Sequence, residues 1–362
     1  MTRILLLLSL LLCACGREAE PPAPPSAPGA KTAPFTLVHV GDINLAEDVT
    51  GRLEKDGADF MFRKVREHLQ GDLLVGNLET VVARAPASKK IDKGSVHLMD
   101  PKYIAAIQAE GFDLVTLANN HAMDQRGPAL VEMVRHLDAA GLPHIGAGAT
   151  LADAKKPFIV EGAGLRIAVI GMYWYSSQKN KLGWYAGPDK PGVWPIKKGD
   201  VAREVKALRA DGVDFVLASV HWGPNYTDET GKLRSLAKDL VAAGVDGING
   251  HGAHIQQGLE FVGGVPVLYG IGNFAFGSKG IYARKSPENR VSSIARWVFQ
   301  DRALQRVELL PLATDNKVVG FQPRPADAAQ AKKEFEPTLD RYQARWSLRE
   351  DGWYVVPVPQ PK

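Results

Sequence analysis

The sequence predicts a layered α/β fold, on three observations. From Phe35 onward, short apolar runs alternate with longer segments of helical periodicity. Several helical segments stop at a glycine (Gly71, Gly111, Gly141, Gly212, Gly244), the favoured residue just past a helix end. Polar, lone-pair-bearing side chains follow the apolar runs directly, as they do at the carboxyl edge of open α/β sheets. VHVGD places Asp42 after one run, and LLVGNLE places Asn77 and Glu79 after another. VTLANNHAMD delivers Asn119, Asn120, His121 and Asp124, LASVHWG delivers His221, and INGHGAH supplies His251 and His254.

The elements follow in order. Strands are expected at Phe35 to Val40, Leu73 to Gly76, Leu114 to Leu117, Arg166 to Met172, Phe215 to Val220, Gly247 to Asn249 and Val265 to Tyr269. Helices are expected at Phe60 to His68, Pro101 to Ala109, Ala129 to Ala140, Val201 to Ala210 and Leu233 to Ala243. Val291 to Phe299 and Leu304 to Leu310 alternate like antiparallel strands, and an amphipathic helix follows over Ala326 to Trp346. No internal repeat and no second domain emerge.

The 362 residues suffice for one large or two ordinary domains. With 45% hydrophobic and 23% charged residues the chain reads as a soluble globular protein. A formal net charge of +4 without a dense Lys/Arg stripe gives no nucleic-acid footprint. Lys155-Lys156 and Lys197-Lys198 read as solvated loop charges.

The first residues read as a targeting segment. Arg3 precedes an apolar stretch, Ile4 to Leu12, too short to span a bilayer as a mature helix. Leu12-Cys13-Ala14-Cys15-Gly16 resembles the bacterial lipoprotein cleavage box, with Cys15 as the acylated residue; a plain signal peptide is the alternative. Both cysteines lie here, so the mature body has no disulfide. Several acyl chains on Cys15 would exceed the one-chain threshold for stable anchoring. Residues 20–34 carry six prolines and read as an extended tether. At about 3.1 Å per residue it would hold the domain roughly 40 Å from a membrane. The expected organisation is a signal peptide over 1–15, a tether over 16–34, one domain over 35–325, and a C-terminal helix and tail over 326–362.

Carboxylate, amide oxygen and imidazole from separate strands suggest a hydrolytic metal site. Each also has a plainer reading: Asp42 could cap a turn, and Glu79 could be an exposed loop carboxylate. Asp124 could cap the following turn or orient His121. Asn77, Asn119 and Trp222, beside these donors, are candidate substrate contacts. His39, His68, His97, His136 and His144 lack motif context and read as packing or surface residues. An aromatic loop follows Met172: Tyr173, Trp174, Tyr175, Trp184, Tyr185 and Trp194. It could wall a substrate pocket or simply pack over the sheet edge. Lys179 and Lys181 in it could attract an anionic polymer or face solvent.

Six motifs together resemble one family. GDINLAED, DLLVGNLETVV, DLVTLANNHAMDQRG, SVHWGPNY, GHGAHIQQG and LYGIGNF occur in this order over about residues 35–278. They look like the CapA family of capsule and poly-γ-glutamate synthesis proteins, related to the calcineurin-like metallophosphatases. The resemblance implies a four-layer α/β/β/α sandwich with two mixed sheets and a two-metal site at one edge. It casts Asp42 as the first metal's carboxylate, Glu79 as the bridging carboxylate and Asn120 as the second metal's amide ligand. His121 resembles the proton donor, His221 a second-metal imidazole, and His254 the last imidazole of the closing H-x-H. Up to two divalent ions are implied, and the mixed oxygen and nitrogen set suits Mn, Zn or Fe better than Ca.

One departure matters. The family's G-x-H-P-H stands here as Gly250-His251-Gly252-Ala253-His254, so the first histidine of the H-x-H pair is replaced by Gly252. His251 is one residue early and in extended backbone would face the other way, unless the glycines twist it back. A weakened second metal site is expected, which Gly252→His would restore unless a positive φ there requires glycine.

The function expected from the resemblance is an envelope-anchored, metal-dependent hydrolase or transferase, lipid-anchored on the extracytoplasmic side of a bacterial membrane. It would act on an anionic ester, amide or envelope polymer of the capsule or poly-γ-glutamate type, with a synthase complex as a partner and no nucleic acid. The alternative is a non-enzymatic polymer-binding or assembly factor with a degenerate metal site.

Overall fold

Two mixed β-sheets face each other across a shared apolar layer. A computed structural model describes residues 33–84, 96–229, 231–279, 285–286 and 288–359. The expected targeting segment, Cys15 and the expected tether up to residue 32 lie outside the described residues. Among those described, no helix is long and apolar enough to cross a membrane.

Among the described residues the larger sheet has ten strands. Its order runs Ser347–Leu348, Tyr354–Pro357, Ala303–Ala313, Val291–Gln300, Phe35–Asn44, Leu73–Leu78, Leu114–Thr116 and His144–Ile145. Asn273–Phe276 also pairs with the Phe35 strand, and Arg324–Pro325 with the Ala303 strand. The second sheet has six, in the order Leu259–Val262, Val265–Leu268, Gly247–His251, Phe215–His221, Leu165–Tyr173 and Phe158–Gly162.

Period-two alternation builds the layers, because successive strand side chains point to opposite faces. Leu37, Leu73, Val75, Ile167, Val169, Leu217, Leu268 and Trp297 meet between the sheets. The alternate residues Val38, Val40, Leu74 and Val115 face outward, onto Leu130, Met133 and Leu137 of the helix Arg126–Ala140. On the far side Ala168, Ile170, Val216 and Ala218 pack on Val201, Val205, Leu233, Ala237 and Leu240, from the helices Lys198–Ala210 and Gly231–Ala242. Helix, sheet, sheet, helix is the four-layer order expected.

All seven early strands form, five of them extending further toward the site than their apolar runs indicated. The late hairpin also forms. Its two-residue turn, Asp301-Arg302, has φ of 51° and 60°, the doubly positive geometry that matches strand twist.

Two helical expectations fail. Phe60 to His68 folds as two 3₁₀ turns, Phe60–Phe62 and Arg66–His68, not an α-helix. Its buried set, Phe60, Met61, Phe62, Val65 and Leu69, does not keep to one 3.6-residue stripe. The helix expected over Ala326 to Trp346 spans only residues 328–340 and contains a π-turn at Ala331–Phe335. Beyond it the chain adds Tyr354–Pro357 to the larger sheet, paired with the Ala303 strand.

Trp297 is fully buried between the sheets, with its indole Nε1 3.4 Å from Asn249 Oδ1. Trp297→Ala is therefore expected to destabilise the fold by about 3–5 kcal/mol. Chemical denaturation measures it, and a loss below about 1 kcal/mol would contradict this packing.

Candidate metal centre

Strand register assembles the site. Asp42 pairs with Asn77 on one side and with Asn273 on the other. In the second sheet His221 pairs with both His251 and Tyr173. The carboxyl ends of both sheets thus bring their donors to one edge. Gly41 makes this approach possible, since a Cβ there would stand 1.9 Å from the Gly272 carbonyl oxygen. The Asp42 amide donates to that same oxygen at 3.1 Å.

Asp42 and Glu79 are both fully buried. His254 Nδ1 lies 3.2 Å from Asp42 Oδ2 and 3.7 Å from Glu79 Oε2. Ligand atoms of Asp42, Glu79 and His254 fall within 4.8 Å of one another, a triad that could hold a metal ion. His221 Nε2 and His121 Nε2 each stand 3.8 Å from Glu79 Oε1. His254 has φ +61°, and its Nδ1 is also 2.9 Å from Asn273 Oδ1. A non-glycine residue held in the left-handed region is the kind of strain that clusters at functional sites.

Electrostatics fit a cation. Burial pushes the Asp42 carboxyl upward, but the His251 and His254 imidazoles outweigh it and hold it well below the usual carboxylate range. Burial lowers the His221 imidazole well below its ordinary value, against the pull of Asp42, and does the same to His39 beside His251. Two buried carboxylates, Asp42 and Glu79, facing imidazole nitrogens form an oxygen and nitrogen donor set. A divalent metal suits it.

His121 is held from two sides. Its Nδ1 is 2.6 Å from Asp124 Oδ2, which also accepts the His97 amide at 2.7 Å. The His97 ring stacks on the His121 ring at 3.6 Å with a 5° interplanar angle. His97 Nε2 in turn is 3.3 Å from Glu47 Oε1. Burial, with Asp48 and Asp124 nearby, raises the Glu47 carboxyl to about 7.

Residues 36–278 match the family described as "Bacterial capsule synthesis protein PGA_cap". The chain belongs to this family. A probable polyglutamine synthesis accessory protein of Mycobacterium tuberculosis is 29% identical over 85% of this chain and 83% of its own length. The capsule biosynthesis protein CapA of Bacillus anthracis is 26% identical, covering 88% of this chain and 76% of its own. The PGA biosynthesis protein CapA of Bacillus subtilis is 28% identical over 75% and 70%, respectively.

Every donor of the candidate centre lies inside the family segment. Asn120 is partly exposed in the loop before His121. Gly252 takes the positive-φ alternative. Gly252 has φ +102°, and a Cβ there would stand 2.9 Å from His221 Nε2 and 2.8 Å from the Trp222 carbonyl oxygen. The direction a side chain would take at 252 is occupied by His221 itself. His251 ends its strand pointing between the sheets, with Nδ1 3.5 Å from Asp42 Oδ1 and its ring 5.0 Å from that of His39. It is aimed at the site rather than away from it.

Three candidate substrate contacts are internal braces. Asn77 Nδ2 donates to Asp42 Oδ1 at 2.8 Å, and its Oδ1 accepts from Thr116 and Asn119. Asn119 Oδ1 accepts the amides of His121 and Ala122, which shapes the loop that presents His121. Trp222 is fully buried in the outer core, with Nε1 donating to the Tyr269 carbonyl at 2.7 Å. Hydrogen bonding inside the fold, not an open face, explains these three. His39 and His97, read from sequence as packing or surface residues, stand against His251 and His121. Neither has a sequence signal beyond being a histidine near an apolar run.

Proposed function

We infer that this chain is a metal-dependent hydrolase or transferase that works on an anionic polymer of the capsule or poly-γ-glutamate kind. The observation carrying the reading is the buried triad Asp42, Glu79 and His254, with His221 and His121 facing the same Glu79 carboxylate. The relatives' names, capsule biosynthesis and PGA biosynthesis, support the substrate class.

In this reading Asp42, Glu79 and His254 would hold one divalent ion, and His221, His251 and Asn120 would contribute to a second; Mn, Zn or Fe would suit the donors. A metal bound there supplies Lewis-acid polarisation of the attacked group and acidifies water. The chain's own residues do the rest. Asp124 accepts the Nδ1 proton of His121 and fixes its tautomer, so that Nε2 handles the proton of the leaving group. His97, stacked on the same ring, keeps it from tilting. Asn77 holds Asp42 in place through its amide.

Metal analysis of the purified chain, followed by turnover assays on a phosphodiester and on polyglutamate, tests the proposal. Neither bound metal nor turnover would refute it and would favour the assembly-factor reading, which the Mycobacterium relative's name, an accessory protein, supports.

We further propose that the protein is a lipoprotein of the cell envelope, acylated at Cys15. Cys15→Ser is expected to shift it from the membrane to the soluble fraction and to abolish incorporation of labelled fatty acid. Wild-type protein that is already soluble and unlabelled would refute the anchor.

A further inference from the structure

We propose that a cationic aromatic cleft beside the metal edge is a second subsite, which grips the carboxylates of an acidic polypeptide chain. Trp174, Tyr175, Ile196, Lys232, Leu236 and Asp239 line a cavity of about 240 Å³. It begins one residue from the candidate centre: Tyr173 pairs in register with His221, and the Trp174 amide donates to the His221 carbonyl at 3.1 Å. Whatever enters the cleft therefore lies alongside the metal edge.

Ammonium groups stand over the rings of the cleft and over the neighbouring Tyr173 and Trp184. Lys179 Nζ stands 4.2 Å from the Tyr173 ring centroid, 5.0 Å from Trp184 and 5.5 Å from Trp174. Lys232 Nζ is 5.3 Å from Trp174, and Lys197 Nζ is 5.2 Å from Tyr175. The one carboxylate among the lining residues, Asp239, is engaged by Lys198 at 2.7 Å. Lys197 and Lys232 have no carboxylate partner among the described residues. Aromatic faces hold these ammoniums in place without neutralising them. Lys197 and Lys232 leave the cleft a positive balance, which raises the encounter rate of an anion.

The class of ligand follows from what the rings leave open. A neutral sugar ring would need bare aromatic faces, whereas here cations stand over them. The flexible, strongly hydrated point charges of Lys197 and Lys232 instead suit side-chain carboxylates spaced along a mobile chain. This assignment rests on the polymer-processing reading above, which it deepens by naming where the chain is held.

The test uses the full chain and fluorescein-labelled polyglutamate, followed by anisotropy at low and high NaCl. Wild type should bind with an affinity that falls as salt rises. The Lys197→Ala/Lys232→Ala double variant should bind about tenfold more weakly with a shallower salt dependence. Lys232→Arg should retain binding, and Trp174→Ala should weaken it. Metal content should be unchanged in all of these, whereas Glu79→Gln should lose metal and still bind polymer. Loss of the metal reading alone would thus leave the subsite standing. Wild-type affinity in the double variant, or no polymer binding by wild type, overturns the proposal. Tighter binding of labelled alginate than of polyglutamate overturns the polypeptide assignment.

Discussion

Glu79→Gln is expected to strip most of the bound divalent metal, while His121→Ala keeps it. Glu79 is fully buried, with His121, His221 and His254 nitrogens 3.7–3.8 Å from its oxygens. Gln keeps the shape but loses the charge and one acceptor oxygen. Without metal, removing a buried charge should leave the fold as stable or slightly more so. With metal, the gain should shrink: an ion at 100 times its Kd stabilises the native state by about 2.7 kcal/mol, and a weakened site forfeits much of that. Melting curves with and without metal, alongside elemental analysis, separate the two effects.

His121 is predicted to behave differently because its Nδ1 is committed to Asp124 and only Nε2 faces Glu79. His121→Ala should lower turnover by about 10²–10⁴-fold, the usual cost of a lost acid or base. Asp124→Asn should lower it too, through the wrong tautomer, with metal retained. Equal metal loss in Glu79→Gln and His121→Ala would make His121 a ligand and undo this division of labour.

Gly252→His is expected to lower metal occupancy rather than raise it. Position 252 has φ +102°, where an L side chain is strained by an amount of order 1–3 kcal/mol. Its Cβ would also fall 2.9 Å from His221 Nε2, so any side chain must displace the imidazole facing Glu79. Gly252→Ala should therefore reproduce most of the defect, which a missing-ligand account does not predict. His251→Ala should lower metal content as well, because its ring is 3.5 Å from Asp42. A folded Gly252→His variant that binds more metal than wild type would refute the steric reading and reinstate the weakened site.

How much of this was legible beforehand differs by residue. Asp42, Glu79 and His221 each follow an apolar run, and a sheet fixes where a strand's end goes, so their place at the sheet edge could be read locally. The same holds for Asp124 and His121, three residues apart and linked at 2.6 Å. Trp222 carries the same local signature as His221 but faces the outer core, because adjacent strand residues point to opposite faces. Asn77 and Asn119 lie beside candidate donors, yet their amides are consumed by hydrogen bonds inside the fold.

The sequence by itself determined the layered α/β class and the strand-end polar residues, because hydrophobic periodicity and turn chemistry act over a few residues; the oddity of Gly252 came only from the family resemblance. Only the tertiary structure decided what those residues meet. His97 reaches His121 across 24 positions in the chain, and His254 reaches Asp42 across 212. The last strand joins the larger sheet only because the Ala303 strand offers an open edge. Gly252 looks like a lost ligand until the space beside it proves to be filled by His221. Such contacts depend on distances between elements far apart in sequence, which no local pattern encodes.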